Sequence, residues 1–168
     1  TAFEYSPDIN RYLDRIKGKT AVLFATAAEG GALVCDAPET TIVAMHEYGM
    51  NLGMAFQVID DILDFTGNAE ELGKPVGSDL KSGKLTLPAI LFLQKYPTEN
   101  PIKRAFEGIR TNANLDKAIK DIVNDETIIP ESRAMARSMC DAALASLEDV
   151  PQCEEKRILE NLVDYTFD

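Results

Sequence analysis

Residues 38–66 run without an internal proline, and most of the surface they would present as a helix is apolar: Ile42, Val43, Met45, Tyr48, Met50, Leu52, Met54, Phe56, Val58, Ile59, Ile62 and Leu63. This stretch predicts one long helix from about Pro38-Glu39-Thr40 to Thr66, with Gly67 as its stop. A helix apolar nearly all round is normally enclosed by other helices, so the stretch points to a bundle. The rest of the chain agrees. β-branched residues rarely alternate with polar ones, and no Asn-Gly or Asp-Gly hairpin turn occurs. Helical spacing recurs at 8–29, opened by Ser6-Pro7-Asp8 and closed by Gly30-Gly31, and at 85–95, ended by Pro97. Shorter helices are expected at 102–108, 115–124, 130–147 and 154–165, and a loop at 67–83, where four Gly and Pro75 fall. The expected fold is all-α, in a single domain with no linker.

Composition narrows the class. Across 168 residues, 17 Lys plus Arg stand against 28 Asp plus Glu, a net charge of −11, and 45% of positions are apolar. That apolar share is too high for a disordered chain. The negative charge argues against sequence-independent binding to nucleic acid or anionic lipid, although a local cationic pocket remains compatible with it. No apolar run approaches the ~18 residues of a membrane span. Cys35, Cys140 and Cys153 are far apart, without a Cys-x-x-Cys spacing. They suggest neither zinc nor a disulfide framework, so a cytoplasmic location is expected. The first residues show no secretory signal. The lack of an initial Met leads to the expectation of a fragment or processed chain.

One line of positions interrupts the apolar surface of the long helix. His46, Gly49, Gly53, Gln57, Asp60 and Asp64 follow steps of three or four and share a face. Small residues in the middle and polar ones at the end suit a helix that lines a cavity, with Met50 and Met54 beside the glycines; close helix packing through the glycines fits equally. His46 reads as hydrogen-bonded scaffolding. At the end of the line, Asp60, Asp61 and Asp64 place three carboxylates within little more than one turn. Like charges at such spacings oppose one another by ~0.2–0.5 kcal/mol per pair. The negative end of the helix dipole adds to that repulsion. A cation relieves it, and oxygen-only ligands suit Mg²⁺. A solvated helix end relieves it too, and the triplet alone does not decide between them.

The loop that follows, Gly73-Lys74-Pro75-Val76-Gly77-Ser78-Asp79-Leu80-Lys81-Ser82-Gly83-Lys84-Leu85-Thr86-Leu87-Pro88, carries two Gly-Lys pairs. Lys74, Lys81 and Lys84 just downstream of three acids suit a carboxylate–Mg²⁺–diphosphate arrangement, with glycines allowing close approach. Upstream, Gly18-Lys19-Thr20 opens an apolar run. Lys19 either snorkels or reaches a ligand, and the spacing is not that of a P-loop.

Together, the segments Phe56–Asp64, Gly73–Leu80 and Gly83–Pro88 resemble the second aspartate-rich region of the trans-type polyprenyl diphosphate synthases, and Lys19-Thr20 looks like that family's Lys-Thr pair. The first aspartate-rich motif and the upstream Gly-Gly-Lys-Arg region of the family are missing. The resemblance therefore implies the C-terminal half of an isoprenoid-synthase-type helical bundle. It implies a Mg²⁺-dependent prenyltransferase that binds an allylic diphosphate for condensation with isopentenyl diphosphate, a homodimer at full length, and a fragment inactive alone. Asp60 would be the principal Mg²⁺ ligand, with Asp61 and Asp64 acting partly through metal-bound water. Lys19, Thr20, Gln57, Lys74 and Lys84 would contact the diphosphate, Lys19, Lys74 and Lys84 serving catalysis. Asp79 and Lys81 are weaker candidates, and Asp79 is a candidate to orient Lys74 or Lys84. A non-catalytic partner subunit that kept the fold is the alternative reading.

Overall fold

In a computed structural model of the chain, residues 5–68, 73, 75–98, 100–107 and 112–167 are described, and their regular secondary structure is entirely helical. In order these are α1 (Ile9–Ile16), a π-helical turn (Lys17–Ala21), α2 (Val22–Val34), α3 (Glu39–Thr66), α4 (Ser78–Lys81), α5 (Leu87–Lys95), α6 (Pro101–Phe106), α7 (Asn112–Asn124), α8 (Ile128–Ser146) and α9 (Glu154–Phe167). Local chemistry sets several ends. The Asp8 carboxylate accepts from the Asn10 amide at the start of α1. Asn100 caps α6 by accepting from the Ile102 amide, with Pro101 in the first turn. The long helix is expected from the sequence, and α3 spans it unbroken.

Three differences from the expected pattern bear on the site and its neighbours. Gly30 and Gly31 do not close the first helix, which continues as α2 to Val34 and ends at Cys35, followed by Asp36 at φ 50°. Glycine lowers helix propensity by only ~1 kcal/mol, a weak prior that tertiary context overrides. The 67–83 loop contains the single turn α4, entered from left-handed Gly77. Helix α5 starts at Leu87, because Thr86 is extended and Pro88 fits only a first turn.

The chain forms two compact units. One comprises Thr1–Tyr12 and Asp60–Arg133, the other Leu13–Ile59 and Ala134–Asp168. The boundaries at Tyr12, Ile59 and Arg133 fall inside α1, α3 and α8 rather than in linkers. The first unit buries Tyr12, Ile62, Phe65, Leu80, Leu87, Ile90, Leu115 and Ile122, with α4, α5 and α6 each packed on α7. The second is built on Tyr48, Leu52 and Ala55 of α3, Cys140, Ala143 and Leu147 from α8 and the residue after it, and Val163 of α9. Phe24, Met45 and Leu159 pack around that cluster.

In the second unit, Gly49 and Gly53 sit directly on the neighbouring helical segment. A Cβ on Gly49 would lie 2.7 Å from the Ala25 Cα, and one on Gly53 2.6 Å from the Ala21 Cα. The two glycines therefore serve a close helix crossing, one of the two readings that the sequence left open. His46 is scaffolding, as expected: its Nδ1 lies 2.9 Å from Glu29 Oε2.

Candidate functional site

The three acids at the end of α3 have different surroundings. Asp60 is exposed. Asp61 is buried, and its Oδ2 accepts a 2.7 Å hydrogen bond from the Tyr12 hydroxyl, itself buried. Asp64 is fully buried at 0% exposure. Its Oδ1 accepts from Ser78 Oγ at 2.8 Å, and its Oδ2 from the Asp79 amide at 3.1 Å. Burial of a carboxylate is tolerable only with such partners. The structure thus does not gather the three carboxylates. Among the described residues no group of three or more His, Cys, Asp or Glu is placed to hold one metal ion. Nor are Asp61 and Asp64 the solvated helix end that the triplet also allowed.

A lysine is nevertheless held beside this acidic step. Lys84 Nζ donates to Asp79 Oδ1 at 2.9 Å, and its amide donates to the Asp79 carbonyl at 2.9 Å. The Lys84 side chain is 61% exposed, so its charge remains accessible. Asp79 does orient Lys84; Lys74 lies outside the described residues. Lys81 pairs with Asp116 of α7 at 2.9 Å, which draws it toward that helix.

The remaining candidates belong to the other unit. Lys19 and Thr20 fall in the π-helical turn, where the Val22 amide reaches back to the Lys17 carbonyl. The sequence predicted a regular helix here. The wider turn inserts an extra residue and re-aims the side chains around it, as π-turns often do at functional sites. Thr20 Oγ1 donates to Gln57 Oε1 at 2.8 Å, and Gln57 is buried. Lys19 is exposed.

One polar network is announced by none of the motifs read from the sequence. The Asp125 carboxylate accepts from Lys95 Nζ at 2.8 Å, from the Tyr96 hydroxyl at 2.7 Å and from the Thr127 amide at 2.9 Å. Lys95, then the Thr127 amide and the Tyr96 hydroxyl, hold the Asp125 carboxyl well below the ordinary carboxylate range. The Asp-x-Thr spacing just before α8 is a helix-start signal that could have revealed part of it. A cavity of about 420 Å³ opens beside it, with Phe92, Tyr96, Lys117 and Asp121 among its walls and none of the sequence-predicted site residues.

Described residues whose regular structure is all helical, with a long apolar helix that carries an acidic step in its last turns and a lysine held by the turn bonded to it, have the build of the isoprenoid-synthase class. Comparison with known proteins carries this further. The polyprenyl synthetase family matches residues 2–125. A prenyl transferase of Synechocystis is 38% identical over 166 residues, covering 98% of this chain and 50% of that protein. Heptaprenyl diphosphate synthase component 2 of Geobacillus stearothermophilus is 34% identical, covering 97% and 50%. The crystal structure of heptaprenyl diphosphate synthase from Staphylococcus aureus superposes with a TM-score of 0.91 at 33% identity, covering 99% of this chain and 52% of that one. A Caulobacter crescentus polyprenyl synthase, solved with calcium and isoprenyl diphosphate, gives 0.86 at 36% identity, covering 95% and 49%. The chain belongs to the polyprenyl synthetase family, and it spans about half the length of these relatives.

Proposed function

We propose that the chain is the C-terminal portion of a Mg²⁺-dependent prenyltransferase, one that binds an allylic diphosphate for head-to-tail condensation with isopentenyl diphosphate. The observation that carries this reading is local to one unit: exposed Asp60 lies in the last two turns of α3, and Lys84 is fastened on Asp79 to a turn bonded to Asp64 of that same helix. The donor set fits the cation. Mg²⁺ is commonly held by one or two carboxylates plus substrate phosphate oxygens and water, so a single outward Asp60 suffices from this chain. When bound, such a cation neutralises a departing diphosphate. The Caulobacter relative, solved with calcium and isoprenyl diphosphate, supports a divalent cation and a diphosphate as ligands.

In this reading Lys84 and Lys74 bind the diphosphate by charge, and the family resemblance assigns Lys19 the same role. An ammonium group aimed where negative charge develops favours leaving-group departure. Thr20 orients the Gln57 amide, and Gln57 sits one turn before Asp60 on the same helix. The chain alone is inactive in this reading, and the full-length protein is a homodimer. The "component 2" designation of the Geobacillus relative favours a second reading, in which this chain works with a partner subunit. The three cysteines are free, which accords with a reducing compartment such as the cytoplasm. Among the described residues no helix is long and apolar enough to cross a membrane.

Thermal melting with MgCl2 and inorganic diphosphate tests the proposal. Binding to the native state at ~100 times Kd adds about 2.7 kcal/mol. For a chain of this size that is a rise of about 5–10 °C in Tm. Asp60→Asn and Lys84→Ala should each remove most of the rise. No rise in the wild-type chain at millimolar ligand overturns the reading.

A further inference from the structure

The third acid of the cluster does something other than what its place in the motif suggests. Both of its carboxylate oxygens are engaged by the downstream turn, Oδ1 by Ser78 Oγ and Oδ2 by the Asp79 amide. Its backbone carbonyl accepts from the Gly77 amide at 2.7 Å. Three hydrogen bonds therefore tie one residue of α3 to three successive residues of the turn. Gly77 makes the turn possible. It is left-handed at φ 70°, and an added Cβ there would collide with the Ile119 side chain. From Asp79 the chain of bonds continues through its carbonyl to the Lys84 amide and through its carboxylate to Lys84 Nζ. At 0% exposure, Asp64 is shielded from solvent, whereas Asp60, one turn earlier, is open to it.

We propose that Asp64 is a positioning residue rather than a metal ligand: by anchoring the Gly77-Ser78-Asp79 turn to α3, it fixes where Asp79 holds Lys84 and so where that ammonium group meets a diphosphate. The inference rests on the diphosphate reading given above, but its structural half stands without any ligand. It divides the acidic cluster. Asp60 carries the cation, and Asp64 carries the lysine.

Ser78→Ala is the key variant, because it removes one anchor bond without touching any carboxylate. Asp64→Asn removes the charge and keeps the shape. Asp60→Asn is the metal control, and Ser78→Thr restores the hydroxyl. Three measurements are made on the whole chain: amide hydrogen exchange at Gly77, Asp79 and Lys84 without ligand, calorimetric binding of Mg²⁺ alone, and calorimetric binding of inorganic diphosphate at fixed Mg²⁺. Loss of one hydrogen bond to a charged acceptor corresponds to roughly tenfold or more in an equilibrium. Ser78→Ala and Asp64→Asn should therefore speed exchange at those amides and weaken diphosphate about tenfold, with Mg²⁺ affinity unchanged. Ser78→Thr should restore both. Asp60→Asn should lose Mg²⁺ affinity and leave exchange unaltered.

Two results overturn the inference. One is a drop in Mg²⁺ affinity in Asp64→Asn as large as in Asp60→Asn, with Ser78→Ala silent. The other is unchanged exchange in both Ser78→Ala and Asp64→Asn. A wild-type chain that binds no diphosphate overturns the functional reading and the ligand half of this inference. That failure is recognisable because the exchange contrast persists. Should Asp64→Asn fail to fold, Ser78→Ala decides alone.

Discussion

Glycine carries opposite meanings at two places in one unit, and a single methyl group tells them apart. At Gly49 an added Cβ would meet the Phe24 carbonyl oxygen at 2.5 Å and the Ala25 Cα at 2.7 Å, both backbone atoms that cannot swing aside. At Gly30 and Gly31 it would meet nothing within 4 Å. Gly49→Ala should therefore lower stability by about 1–3 kcal/mol through overpacking. Gly30→Ala and Gly31→Ala should each raise it by about 0.5–1 kcal/mol, since glycine in mid-helix loses more conformational freedom than alanine. Urea denaturation of the three variants checks both signs at once. The sequence could not separate these glycines. Gly30-Gly31 looked like a helix stop because local propensity disfavours glycine in a helix, and Gly49 and Gly53 looked equally able to line a cavity or a helix contact. What decides is the neighbouring backbone, which no spacing rule encodes. Asp64 is the same lesson in polar form. Its place in the Asp-x-x-x-Asp step was legible, but its partners Ser78 and Asp79 are set by the fold of the turn.

Among the elements, α3 was legible nearly to the residue because a long apolar stretch, Pro38 and Gly67 all agree locally. The corner where α5, α7 and α8 meet Asp125 was not. Lys95 and Asp125 lie 30 residues apart, and nothing in either neighbourhood announces the other. That corner makes stability pH-dependent. The folded carboxyl of Asp125 is held below its unfolded value near ~4, chiefly by Lys95. The folded state therefore binds its proton less tightly than the unfolded chain. The stabilisation is present above the unfolded value and is lost as pH falls through the lower folded one. Asp125→Asn should flatten the acid limb of a Tm-versus-pH curve below pH ~4. An acid limb identical to that of the wild type would show that the network contributes nothing. At the other extreme, burial pushes the Tyr48 phenol up to about 12, while its hydroxyl donates to the Leu159 carbonyl of α9 at 2.9 Å. The neutral form is favoured in the fold, so stability holds below the ordinary tyrosine value near ~10. It declines from there toward the folded value. Tyr48→Phe should cost about 1 kcal/mol at neutral pH for the lost hydrogen bond. It should also remove that share of the alkaline decline, read by urea denaturation between pH 9 and 12.

For the molecule as a whole, the all-helical class and the family resemblance were both present in the sequence, because they rest on apolar spacing and on contiguous motifs. The whole-chain property that bears on any metal experiment is charge. At −11 the chain repels itself, and self-repulsion destabilises a compact state. Any added salt relieves it, because the screening length falls from ~30 Å at 0.01 M to ~8 Å at 0.15 M. A rise in Tm on adding MgCl2 therefore has two sources, general screening and a specific site. They separate by matching ionic strength. NaCl should raise Tm by a modest amount that saturates as screening completes, equally in wild type and Asp60→Asn, since one charge in eleven changes little. MgCl2 with inorganic diphosphate at the same ionic strength should add a further rise in wild type that Asp60→Asn lacks. If NaCl reproduces the whole effect, or if Asp60→Asn keeps it, the cation is acting on the acidic surface at large, and Asp60 is not its ligand.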